Sequence, residues 1–160
     1  MTLAVQIDQP GGPEQMKLVD VQVGAPGPGE IRIRHHAIGL NFIDVYQRSG
    51  VYPLAMPLKL GMEAAGVVEA VEENAKKFKV GDAVFGMVRF PDIGSAYAQY
   101  VAAPEAHLAL KPKNIDFTQA AAFPLAVLTA WQALFEAGNL AAGERLLIQG
   151  AAGGVGHLAV

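Results

Sequence analysis

Cysteine is missing from all 160 residues. Its absence excludes disulfides, a thiolate nucleophile and every zinc site built on cysteine. Histidine numbers four (His35, His36, His107 and His157), scattered without the spacing of a ligand set. Basic charge is scarce as well: 12 Lys and Arg stand against 15 Asp and Glu, for a formal net charge of −3. A chain without a basic surface is not expected to bind nucleic acid. Long apolar runs are lacking, because Gly, Pro or a charge breaks each of them, so no segment is expected to span a membrane. The start, Met1-Thr-Leu-Ala-Val-Gln-Ile-Asp8, has neither the basic opening nor the apolar core of a signal peptide. The expectation is a cytoplasmic protein without metal.

What is present is apolar and rich in turns. Hydrophobic residues make up 52% and charged residues 17%, too apolar for disorder, while 18 Gly and 10 Pro favour a turn-rich β architecture. Residues 2–8, 16–23 and 29–38 read as strands punctuated by Gly11-Gly-Pro13 and Gly24-Ala-Pro-Gly-Pro-Gly29. In Ile31-Arg-Ile-Arg-His-His36 the alternation puts Arg32, Arg34 and His36 on a solvated face and turns His35 inward. A helix is expected over 42–49, with Asn41 as N-cap, Asp44 at the third helical position and Gly50 as terminator. Further strands are expected over 61–71, from 79 into 85, over 96–102 and over 107–110. Short strands at this spacing suggest a barrel-like β domain. Asp116-Phe-Thr-Gln119 is a capping box, and the helix it opens is interrupted at Pro124, resumes to Glu136 and stops at Gly138.

Two segments carry chemistry. Leu146-Leu-Ile-Gln149, then Gly150-Ala-Ala-Gly-Gly-Val-Gly156, reads as a buried strand, a glycine-rich turn and a helix start. A dinucleotide-binding unit begins in this order, with backbone N–H groups and a helix N-terminus facing a pyrophosphate. An ordinary strand-to-helix turn has the same composition, so the spacing alone leaves both readings open. The second segment, Asn41 to Pro53, crowds Asn41, Asp44, Tyr46, Arg48 and Tyr52 together. Asp44 can pair with Arg48 at i+4, and the tyrosines can simply pack with their hydroxyls at the surface. Alternatively, Tyr46 and Tyr52 line a flat aromatic slot, their hydroxyls able to bond a carbonyl oxygen.

Four motifs occur in order: Gly39-Leu-Asn-Phe-Ile-Asp-Val-Tyr-Gln-Arg-Ser-Gly50, Leu60-Gly-Met-Glu-Ala-Ala-Gly-Val-Val68, Val80-Gly-Asp-Ala-Val84 and Gly150-Ala-Ala-Gly-Gly-Val-Gly156. Together they resemble the NADPH-dependent quinone oxidoreductases (zeta-crystallin type) of the medium-chain dehydrogenase/reductase superfamily, across essentially the whole chain. The resemblance implies an α/β protein. Its first part, residues 1–122, would be a GroES-like β domain. Residues 123–160 would supply the linking helix and the start of a Rossmann NADPH-binding domain, the chain being the N-terminal portion of an enzyme expected to form a homodimer.

The same resemblance implies roles. Asn41, Tyr46 and Tyr52 would be catalytic and face the nicotinamide and a quinone, with Asn41 and Tyr46 also touching the cofactor. Thr129 would touch NADPH from the linking helix, although a hydroxyl bonded back to its own helix is the equal alternative. Gly150, Ala151, Ala152, Gly153, Gly154 and Val155 would cradle the phosphates. Zinc-dependent alcohol dehydrogenases of that superfamily place Cys where this chain has Asn41 and His where it has Met62, and neither replacement is a comparable zinc ligand. The implied chemistry is hydride transfer to a quinone without metal. A zinc-free reductase of enoyl or alkenal substrates, with a conjugated carbonyl as substrate, stays open beside it. So does a non-enzymatic structural or interaction module.

Overall fold

The fold is that of a computed structural model, which describes residues 1–90 and 92–160. Its strands are β1 (Thr2–Ile7), β2 (Lys17–Val21), β3 (Glu30–Ile38), β4 (Leu58–Lys59), β5 (Glu63–Val71), β6 (Ala83–Met87), β7 (Tyr100–Pro104) and β8 (Leu108–Leu110). The helices are α1 (Phe42–Ser49), α2 (Phe117–Ala121), α3 (Pro124–Trp131) and α4 (Gly156–Ala159), and a π-helical turn, Gln132–Ala137, extends α3. A smaller sheet runs β2-β1-β4 and a larger one β7-β3-β5-β6-β8, with antiparallel pairing throughout. The bridge Ala4–Ala98 ties β1 to the segment that leads into β7. Beside it the Val5 N–H donates to the Tyr97 carbonyl at 2.7 Å and the Gln99 N–H to the Leu3 carbonyl at 3.0 Å.

Apolar alternation explains which faces meet. Ile31 and Ile33 of β3 point inward with Ala64 and Val68 of β5, Val84, Val101 and Leu108, forming the main core. β5 lies between β3 and β6 and is covered on its other face too, where Ala65 packs against Ala120 and Ala121 of α2. A helix laid directly on a sheet requires small residues at the contact, which accounts for Ala65 meeting alanines of α2. β5 thus has both faces covered, and Glu63 stands at its first position.

Most expected elements form, and β3 presents Arg34 and His36 outward as anticipated, with Arg34 paired to Glu69 at 3.0 Å, whereas Arg32 is half-buried. Helix α1 covers 42–49 and closes on Gly50 in the left-handed region at φ 84°. Three expectations are corrected. Residues 146–149 are not a strand: no other strand lies beside them among the described residues, and Leu147 is 83% exposed. A strand is defined by its ladder, so an apolar run without a neighbour cannot be one. The strand expected over 96–102 begins only at Tyr100, because residues 96–99 bond instead to β1 and to Leu60 and Gly61. Asp44 does not pair with Arg48, its carboxylate being held by nearer donors.

Candidate active site

Asn41 precedes α1 with extended backbone (φ −130°, ψ 157°), the N-cap conformation. Its backbone N–H donates to Asp44 Oδ2 at 2.9 Å, and the Tyr97 hydroxyl donates to that same oxygen at 2.9 Å. The Asn41 side chain lies over the Asp44 backbone in a capping-box arrangement, without a formed hydrogen bond to it. One helical turn along, Tyr46 is 40% exposed and meets Tyr52 edge-on at 5.6 Å between ring centroids, while Tyr52 is 49% exposed. The Tyr52 N–H donates to the Tyr46 carbonyl at 3.2 Å, fixing the loop against the helix. Among the described residues neither tyrosine hydroxyl has a partner. The two rings therefore offer an aromatic surface with two unused donors.

Bonded to Asn41 is a residue that the sequence reading passed over. Glu63 is 1% exposed and its carboxylate is divided between two segments. Asn41 Nδ2 donates to Oε1 at 2.7 Å, and the Leu125 backbone N–H, in the first turn of α3, donates to Oε2 at 2.7 Å. Gly39 makes room for it, since a Cβ there would overlap the Glu63 side chain. Burial pushes the Glu63 carboxyl above its usual range. The two hydrogen bonds oppose that shift and the nearby Asp44 charge adds to it. Met62, just before it, is buried and its sulfur accepts from Gln47 Nε2 at 3.7 Å.

From Leu125 the connection runs on to Thr129, whose exposed hydroxyl donates to the Leu125 carbonyl at 2.7 Å. This is the helix back-bond, and it leaves the Thr129 oxygen able to accept from a ligand. Gly150 to Val155 form a turn away from that cluster. The Gly153 N–H closes on the Gly150 carbonyl at 2.9 Å, and a Cβ on Gly156 would strike that carbonyl. The turn borders a cleft of about 490 Å³ lined by Ala130, Leu134, Gln149, Gly150, Gly153 and Val155. Asn41, Tyr46 and Tyr52 do not line that cleft.

Residues 27–113 match the alcohol dehydrogenase GroES-like domain. The chain belongs to that family. A quinone oxidoreductase of Pseudomonas aeruginosa is 45% identical over 160 residues, covering 99% of this chain and 48% of the relative. A 2-haloacrylate reductase of a Burkholderia species is 39% identical over 166 residues, covering 100% of this chain and 49% of the relative. The crystal structure of Escherichia coli quinone oxidoreductase complexed with NADPH superimposes with a TM-score of 0.89 at 37% identity, covering 99% of this chain and 48% of that one. The chain thus spans about half the length of the curated relatives it matches. These likenesses bear out the resemblance to quinone oxidoreductases and place this GroES-like chain in the medium-chain dehydrogenase/reductase superfamily. Asn41, Tyr46, Tyr52, Met62 and Glu63 fall inside the matched domain, whereas Thr129 and Gly150 to Val155 fall beyond it. No helix among the described residues is long and apolar enough to cross a membrane.

The buried carboxylates of the GroES-like domain have a consequence for its stability. Burial raises the Asp44 carboxyl, against hydrogen bonds from the Asn41 N–H, the Tyr97 hydroxyl and the Gly61 backbone. A raised folded value means that the contribution of Asp44 is full below its unfolded value near 3.8 and is lost as pH climbs through the folded value. The stability advantage of the unmutated chain over Asp44→Asn is therefore expected to shrink between pH 4 and pH 7, read from urea midpoints. An advantage that widens over this interval would show that the hydrogen bonds outweigh burial.

Proposed function

We propose that this chain supplies the substrate-binding side of an NADPH-dependent reductase that transfers hydride to a quinone without metal. Residues 1–122 are the catalytic β domain in this reading, and 123–160 begin the NADPH-binding domain. The observation that carries it is the paired Tyr46 and Tyr52, with unused hydroxyls, beside an Asn41 amide anchored on a buried carboxylate. An aromatic surface of this kind suits a flat ring, and hydroxyl donors suit the oxygen on which negative charge grows.

The donor set does not suit zinc. An amide stands at Asn41, with its nitrogen donating to Glu63, and a thioether at Met62, already accepting from Gln47. Only the carboxylate of Glu63 remains, and its two oxygens are occupied by N–H donors. Polarisation of the acceptor oxygen is accordingly assigned to hydroxyls and water rather than to a Lewis acid.

The turn at Gly150 to Val155 fits a dinucleotide phosphate. Gly156 is required by close backbone approach, and nothing lies within 4 Å of a Cβ on Gly154, which leaves that backbone open to a ligand. NADPH, when bound, supplies the hydride. The chain's own residues hold and orient: Gly150, Ala151, Ala152, Gly153, Gly154 and Val155 at the phosphates, Thr129 and Asn41 beside the nicotinamide, Tyr46 and Tyr52 at the acceptor.

The 39% identity to a 2-haloacrylate reductase favours a second substrate class, a conjugated carbonyl reduced at the same site. The test is NADPH oxidation, followed at its near-ultraviolet absorbance, by the enzyme containing this chain. Turnover is expected with a para-quinone after exhaustive chelation. Turnover confined to an acrylate or enone would transfer the assignment to the second class. Activity lost on chelation and restored by zinc would overturn the metal-free reading.

A further inference from the structure

Among the described residues Glu63 is the one buried acid joined to both segments of the candidate site, and the proposed hydride transfer does not employ it. The chemistry of its two partners constrains what it does. The Leu125 backbone N–H can only donate, and so can Asn41 Nδ2. An ionised carboxylate accepts both at once, at 2.7 Å each. Because Nδ2 is bound there, the other end of the Asn41 amide, the acceptor Oδ1, is turned away from Glu63, over the first turn of α1 that leads to Tyr46. The second carboxylate oxygen satisfies a first-turn N–H of α3 that no helical carbonyl can reach, four residues before Thr129.

We propose that Glu63 is a positioning residue that sets the orientation of the Asn41 amide and ties it to the start of α3, so that Asn41 keeps its acceptor oxygen over the first turn of α1, the turn that leads to Tyr46. The proposal rests on the reductase reading for its kinetic consequence, while its structural consequence is independent of it. No proton or electron is transferred by Glu63. Its contribution is polarity and register, between segments 22 and 62 residues away in sequence.

Glu63→Gln separates these roles from simple packing, since it keeps the volume and one acceptor oxygen. Leu125 still requires an acceptor, so the Gln carbonyl oxygen faces Leu125 and its NH₂ faces Asn41. The Asn41 amide must then rotate, bringing Oδ1 to position 63 and presenting a donor where an acceptor stood. Adding Asn41→Asp reverses the polarity of that bond. One Asp oxygen accepts from the Gln NH₂, the other is again an acceptor toward the first turn of α1, and the net charge of the pair is unchanged.

Two readouts follow. In nitrogen-15 spectra of the chain, the Asn41 side-chain NH₂ is expected to exchange slowly, and to exchange faster in Glu63→Gln while the Leu125 amide stays protected. In the enzyme containing the chain, Glu63→Gln is expected to lower kcat/KM for NADPH and quinone by roughly 10- to 100-fold, with the double variant recovering most of it. Unchanged Asn41 exchange in Glu63→Gln, or a double variant as impaired as the single one, would overturn the proposal. Should Glu63→Gln fail to fold by circular dichroism, a folded double variant upholds the polarity argument and an unfolded one ends it. If the unmutated enzyme turns over neither quinone nor enone, the reductase reading fails, and the exchange experiment still decides the role of Glu63.

Discussion

Gly66→Ala is expected to destabilise the fold by about 3 kcal/mol, a large loss for a domain of this size. Gly66 sits in β5 opposite His35, where β3 carries register shifts on both sides, between Arg32 and Ile33 and between His35 and Ala37. This irregularity brings the β3 backbone unusually close. A Cβ on Gly66 would overlap the Arg34 carbonyl oxygen and lie 2.8 Å from its carbon and 2.9 Å from Ile33 Cγ2. A carbonyl cannot rotate out of the way as a side chain can, and β3 is held on its far edge by β7. Urea unfolding of Gly66→Ala beside Gly154→Ala measures the effect. Gly154 has open space around its Cβ position and no positive φ, so its substitution is expected to change stability by no more than about 0.5 kcal/mol. Equal losses in the two variants would mean that close backbone approach is not what Gly66 provides.

That prediction also marks the boundary of what sequence can reveal. The alternation in β3, the Asn41 and Gly50 ends of α1 and the Asp116–Gln119 capping box are local patterns, and each was legible because its cause lies within a few residues. Asp116 Oδ1 does accept from the Gln119 N–H at 2.7 Å, and the Gln119 side chain returns to the Asp116 N–H at 3.1 Å. The register shifts beside Gly66 depend on two strands at once and leave no local mark. Residues 146–149 have the composition of a buried strand, but composition does not supply the neighbour that makes one. Asp44 and Arg48 have helix-pair spacing, yet Tyr97, 53 residues on, offers Asp44 a better partner.

The candidate site divides along the same line. Asn41, Tyr46 and Tyr52 drew notice because hydrogen-bonding and aromatic groups crowd into a single turn and loop. Glu63 did not, because both its partners are distant in sequence. A signal was nevertheless present: a lone acid inside Gly61-Met-Glu-Ala-Ala-Gly66, where small apolar residues otherwise indicate burial. A charge is rarely buried unless it is paired or hydrogen-bonded, so an acid in such a run predicts partners before any are seen. Thr129 shows the converse. Its back-bond to Leu125 was as well supported by sequence as a cofactor contact, and the hydroxyl retains capacity for both.

Tyr46→Phe and Tyr52→Phe are expected to slow turnover far more than they weaken the fold. Each substitution removes one hydroxyl and keeps the ring, so the edge-on contact at 5.6 Å persists. Neither hydroxyl has a partner among the described residues and both rings are well exposed, so stability is expected to change by no more than about 0.5 kcal/mol. Rate responds differently under the proposed function. A donor aimed at an oxygen that gains charge in the transition state contributes roughly 2 to 4 kcal/mol, equivalent to roughly 30- to 1,000-fold in kcat. The larger loss is expected at whichever tyrosine reaches the acceptor oxygen, and the smaller at the one that only borders the ring. Saturation kinetics with NADPH and a para-quinone, set beside urea midpoints, distinguishes the two effects. If kcat is unchanged in both variants, the hydroxyls are surface groups without a part in the reaction. If kcat and stability fall together, the tyrosines serve the fold, and the aromatic slot loses its chemical role.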